Sequence, residues 1–171
     1  MGSDFRFGDL TPSGLVSECR LGHSATSWKN ETTMSLPSPV AEFYEELWNR
    51  RDRSRIDEIL HPDVSFRGSL GAERQGHDEY WRYVEEVTGP LAEYRCDEIT
   101  SVADGQSVFA RMRFSGRHVG EFRGFAPTGE LVEWQGAALF QIDAGLITSV
   151  WVLGDLIALD ALLDQQASQS G

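Results

Sequence analysis

The sequence predicts a single α+β domain in which helices cover one face of a curved, mostly antiparallel sheet. Two observations carry that prediction. Apolar residues recur at helical spacing as far as residue 87, and from residue 91 onward they alternate or run together as in strands. The strand-like segments are separated only by short turn signals, which suit hairpins and are too short for parallel crossovers. With no internal repeat, the expected order α-α-β-β-α-β-β-β-β-α places the helices together on one face of one sheet.

Ser38-Pro39 opens the first helix as a cap residue followed by proline in the first turn. Val40, Phe43, Tyr44, Leu47 and Trp48 then form one apolar stripe. A short second helix over 53–60 carries Ile56, Ile59 and Leu60 and stops at His61-Pro62. Asp63 to Phe66 begin a short strand, and Ser69-Leu70-Gly71 make a turn. A third helix over 77–87 places Tyr80, Trp81, Val84 and Val87 on one side, and Gly89-Pro90 closes it. Strands follow over 91–103, 106–118, 130–142 and 146–154. Between them stand Asp104-Gly105, Pro127-Thr128-Gly129 and Ala144-Gly145. A last helix over 155–165 carries Leu156, Leu159, Leu162 and Leu163.

Residues 1–36 are rich in Gly, Ser and Thr without a sustained period and are expected to be a flexible leader, with Met34-Ser35-Leu36 a candidate natural start. The domain is expected over 37–166, with a tail at 167–171. A hydrophobic content of 40% and an aromatic content of 11% are those of a globular chain. A formal charge of −12 argues against nucleic acid and against an anionic membrane surface as partners. Lys29 is the only lysine, so the domain offers no Schiff-base or phosphate-loop lysine. Cys19 and Cys96 fit neither a disulfide framework nor a zinc spacing, and no run is long enough to span a membrane. With no apolar stretch of signal-peptide length, a reduced cytoplasmic setting is the expectation.

Ser115-Gly116-Arg117-His118-Val119-Gly120-Glu121-Phe122-Arg123-Gly124, followed by Pro127-Thr128-Gly129, resembles the hallmark segment of SnoaL-like polyketide cyclases. Asp143-x-Gly145-x-Ile147 and Trp151-x-x-x-Asp155 are similar to the turn and strand exit that follow it in that family. Tyr44-x-x-x-Trp48-Asn49-x-x-Asp52 and His61-Pro62-Asp63-Val64 resemble its opening helices. The resemblance covers about 38–165 and implies the nuclear-transport-factor-two-like fold, a cone of curved sheet around a helix with an apolar pocket. It also implies a cofactor-independent cyclase or isomerase acting on a polyketide-like carbonyl compound. A noncatalytic small-molecule-binding domain, or a dehydratase or hydrolase on the same cone, stands as the alternative. The expected partners are a small hydrophobic or polycyclic molecule and, as in much of the superfamily, a second copy of the chain.

An intramolecular aldol step needs a base for an activated C–H and an acid for the acceptor carbonyl, roles one desolvated carboxylate can fill. Asp155, where the last strand turns into the last helix, is the leading candidate, and a helix cap is the other reading of the same position. His118 shares strand parity with Val108, Ala110, Met112 and Phe114, so it is expected on the helix-covered face. There it would act on a carbonyl oxygen or hold the loop that follows it. Tyr44, Trp48, Phe66, Tyr80 and Trp81 are the helix-side candidates for lining the pocket. Met112, Phe114, Trp134 and Trp151 are the strand-side candidates. Two places depart from the family pattern. Val152 stands where an acidic residue commonly follows the tryptophan, and Gln135 stands where aromatic cyclases carry a histidine. No metal or nucleophile motif occurs.

Overall fold

The computed structural model describes residues 36–169, so the leader expected over 1–36 lies, apart from Leu36, outside the described residues. Helix α1 (Ser38–Glu42) continues without a break into a π-helical segment, Phe43–Asn49, where the Arg50 N–H donates to the Glu45 carbonyl five residues back. The wider turn brings Phe43, Tyr44, Leu47 and Trp48 all into the core. Asn49 ends the segment by bridging to the next layer. Its Oδ1 accepts from the Cys96 N–H at 2.8 Å and its Nδ2 donates to the Cys96 carbonyl at 3.2 Å. Asp52 caps a short 3-10 turn, Arg53–Arg55, by accepting from the Ser54 N–H. That turn leads into α2 (Ile56–Ile59).

Strand β1 (Leu60–Arg67) begins three residues before the expected start, because β6 pairs with it as far as Leu60. Strand β2 (Glu73–Gln75) returns antiparallel to β1, and α3 (Gly76–Thr88) follows. Strands β3 (Leu91–Asp104), β4 (Ser107–His118), β5 (Leu131–Asp143) and β6 (Leu146–Gly154) form the meander, and α4 (Leu156–Gln169) ends the fold. The sheet order is β2-β1-β6-β5-β4-β3, with β1 and β6 the one parallel pair. Helix α4 runs through Gln169, past the expected boundary at 166.

Alternation drives the layering. On β4, Val108, Ala110, Met112, Phe114 and His118 are buried toward the helices, while Phe109, Arg111, Arg113 and Arg117 are exposed. Phe43, Tyr80 and Phe140 meet at ring-centroid distances of 5.2–5.7 Å and join the helical layer to the sheet. The Asp143-Ala144-Gly145 hairpin turns with Ala144 at φ 47° and Gly145 at φ 86°, the left-handed pair a tight hairpin requires. One irregularity decides what the last strand shows to each face. In β6, Ile147 pairs with Ile142 but Ser149 pairs with Gln141, so β6 carries one extra residue at Thr148.

Candidate functional site

The space between helices and sheet narrows to an apolar pocket. About 520 Å³ is empty when its mouth is counted, but a water molecule's centre can move through only about 40 Å³ of it. The helical side is built by Phe43, Tyr44 and Trp48 of the π-helical segment and by Tyr83 and Val87 of α3. The sheet side is Phe66, Tyr94, Phe114, Trp134 and Val152. Phe122 from the 119–130 loop, Ser69 and Leu70 from the turn after β1, and Leu156 and Leu159 of α4 complete the wall. No carboxylate, guanidinium or imidazole lines it. Its polar groups are the Ser69 hydroxyl, three phenols and two indole N–H groups.

Burial pushes the Tyr44 and Tyr94 phenols well above their ordinary range, so both keep their protons. Burial raises Tyr83 as well, while the Leu70 and Ser69 N–H groups pull it partly back. Tyr94 Oη lies 3.6 Å from the Cys96 thiol, which is itself raised by burial. Trp48 Nε1, at the pocket, is buried and bears on the Tyr80 phenol oxygen.

Five of the nine expected lining residues meet here: Tyr44, Trp48, Phe66, Phe114 and Trp134. Tyr80 and Met112 are buried in the core beside the pocket rather than along it, and Trp81 is buried away from the pocket with its N–H donating to Glu85. Trp151 is a correction. The extra residue at Thr148 reverses the parity shared with Ile147, so Trp151 stands 45% exposed on the outer sheet face under the Arg67 guanidinium, 5.4 Å from the ring centroid. The same reversal carries Val152 inward, and the place where the family often has an acid is an apolar patch of pocket wall.

Asp155 follows the same reversed parity. Its carboxylate is exposed, accepts from the Ala158 N–H at 3.0 Å, and caps α4. It borders a shallow outer cleft with Arg111 and Gln135, not the apolar pocket. Gln135 is on the outer face too, accepting from Arg111 at 2.6 Å, and the inward residue beside it is Trp134. His118 is fully buried, as its parity requires, with its ring 6.4 Å from that of Phe122 and one layer behind the pocket wall. Nδ1 lies 3.4 Å from the Thr128 N–H and 3.3 Å from the Thr128 Oγ1, and Nε2 is buried without a partner.

Sequence reasoning passed over Tyr83, Tyr94, Phe122 and the α4 leucines as lining residues. Tyr83 lies three residues after Tyr80, so helical spacing offered a signal for it. The others depend on how the sheet curves and on where α4 docks. Among the described residues no three His, Cys, Asp or Glu side chains converge as a metal site, and no helix is long and apolar enough to cross a membrane.

A curved sheet closed over helices around an apolar pocket defines the cone-shaped nuclear-transport-factor-two-like, or ketosteroid-isomerase-like, class of α+β domains. The model of the SnoaL-like polyketide cyclases matches residues 38–163, and the chain belongs to that family. No curated protein matches it. Among solved structures, a candidate polyketide cyclase from Acidithiobacillus ferrooxidans is 20% identical with a TM-score of 0.70, over 78% of this chain and 99% of that one. IdmH, a candidate polyketide cyclase from Streptomyces antibioticus, is 21% identical with a TM-score of 0.67, over 74% and 96%. A protein of ketosteroid isomerase-like fold from Catenulispora acidiphila, solved with trimethylamine, is 14% identical with a TM-score of 0.64, over 76% and 95%.

Proposed function

We propose that the domain takes a small, flat, carbonyl-bearing molecule of polyketide type into the apolar pocket and cyclises or isomerises it without a cofactor. The observation that carries this reading is the pocket's composition, an aromatic wall whose polar groups are all neutral and able to donate hydrogen bonds. Aromatic faces and edges suit a flat ligand. Neutral donors suit a carbonyl oxygen, and an enolate oxygen better still, because charge develops there as an α-proton leaves. A carboxylate or phosphate ligand would be buried there without a cation, at a cost of several kcal/mol.

His118 is the proton-carrying group in this reading. Its Nε2 is buried, unpartnered and one aromatic ring from the pocket, so rotation of Phe122 would bring a ligand to it. Asp155 serves as the cap of α4. One observation favours a second reading, a noncatalytic binding domain: no general base lines the pocket as it stands.

Calorimetric binding of aryl ketones, run beside turnover of polyketide-like esters, separates the two. His118→Gln should bind as the wild type does and lose about 10²–10⁴-fold in turnover. Binding with no turnover by the wild type would leave the binding domain, and absence of binding would remove the pocket reading altogether.

The partner we assign for the outer sheet face is a second copy of the chain. Val102, Phe109, Leu139 and Trp151 are paired side by side across four strands as an exposed apolar row. Arg113, Arg117 and Glu133 on the same face let it match itself across a two-fold axis.

A further inference from the structure

Tyr83 differs from the other phenols of the pocket in what its oxygen holds. The Leu70 N–H donates to its Oη at 3.3 Å, and the Ser69 N–H bears on the same oxygen. The chain passes directly over the phenol head. A Cβ on Gly68 would stand 2.1 Å from Tyr83 Cζ and 2.3 Å from Oη, so only glycine permits the approach. Ser69, Leu70 and Tyr83 all line the pocket, which sets the phenol oxygen at its wall.

With its lone pairs facing two backbone N–H groups, the oxygen has its hydroxyl hydrogen left to share. Behind the ring, the Arg74 guanidinium lies 5.9 Å from the centroid and is ion-paired with Glu86 at 2.8 Å. Donors on the oxygen strengthen the O–H as a donor, and burial keeps its proton in place at neutral pH.

We propose that Tyr83 is the oxygen-recognising group of the pocket, its hydroxyl donating to the carbonyl oxygen of a neutral aryl ketone or ester while the Ser69 and Leu70 N–H groups support the charge its own oxygen gains. The ligand class is an uncharged aromatic carbonyl compound, since no cation lines the pocket. This inference rests on the reading of the apolar pocket as the binding site.

The test compares 1-tetralone with its hydrocarbon twin tetralin by calorimetry. The wild type should bind the ketone about five- to tenfold more tightly, the worth of one net hydrogen bond. Tyr83→Phe should bind tetralin unchanged and bring that preference to within about twofold, whereas Tyr44→Phe and Tyr94→Phe should keep it. In the wild type the bound ketone's C=O stretch should fall below its frequency in alkane, and Tyr83→Phe should return it there. The stretch in the wild type is read independently of how any variant folds. An alkane-like stretch in the wild type, or a ketone preference undiminished in Tyr83→Phe, overturns the role of Tyr83 and leaves the pocket standing. Failure of both probes to bind the wild type overturns the pocket reading itself.

Discussion

Gly68→Ala should destabilise the domain, although an alanine in a turn ordinarily stabilises by roughly 0.4–1 kcal/mol where the backbone accepts it. The new Cβ would lie 2.1 Å from Tyr83 Cζ, where ordinary contact begins near 3.4 Å, so the phenol head must retreat by about 1.3 Å. It has little room, because the ring centroid is 5.0 Å from Phe66 and 6.2 Å from Trp48. Overpacking of this kind costs about 1–3 kcal/mol. At about 4 °C per kcal/mol for a domain of this size, 2 kcal/mol lowers Tm by about 8 °C. Urea unfolding of the wild type, Gly68→Ala, Tyr83→Ala and the double variant forms a double-mutant cycle. In the Tyr83→Ala background the clash is gone, and Gly68→Ala should be neutral or slightly stabilising. A loss under about 0.5 kcal/mol in the wild-type background would refute the packing of the 68–70 turn on Tyr83.

Three further outcomes are expected. Asp155→Ala should cost about 1 kcal/mol through loss of the bond to the Ala158 N–H, whereas Asp155→Asn should unfold and turn over as the wild type does; a hundredfold loss of turnover in the Asn variant at unchanged stability would make Asp155 an acid/base group. Arg123 forks onto Asp160 and holds its carboxyl below the ordinary range, so this pair's contribution should be present above pH about 3.9 and disappear as pH falls through the lower folded value. With the Asp160 side chain 42% exposed, the step should be at most about 1 kcal/mol, and pH–stability curves of Asp160→Asn should lack it. Trp151→Glu should shift sedimentation from dimer to monomer with an unchanged circular dichroism spectrum, and a persistent dimer would move the interface off the outer sheet face.

Elements set by local chemistry were legible in the sequence. The helices of 38–48 and 76–88 follow from apolar spacing, and the β5–β6 hairpin follows from Ala144-Gly145. The burial of His118 follows from strand parity alone. Trp151 shows where that reasoning stops. Unbroken alternation from Ile147 would point Trp151 inward, and a single extra residue at Thr148 turns it, Leu153 and Asp155 to the outer face while bringing Val152 in. Nothing in the composition of Leu146–Gly154 marks a bulge, because the extra residue answers to the pairing of β6 with both β1 and β5.

Alternation, helical period and turn chemistry are properties of neighbours along the chain, and by themselves they determined the order of elements and the buried face of β4. The identity of the pocket wall depended on contacts between residues far apart in sequence. The Leu70 N–H meets Tyr83 Oη because β1, its following turn and α3 pack in three dimensions, and Leu156 and Leu159 join the pocket only because α4 folds back over it. Such contacts are fixed by sheet curvature and by one-residue register shifts, which set whole rows of side chains in or out. The tertiary structure therefore decided which of the aromatic residues line the pocket, and that its polar groups are neutral donors.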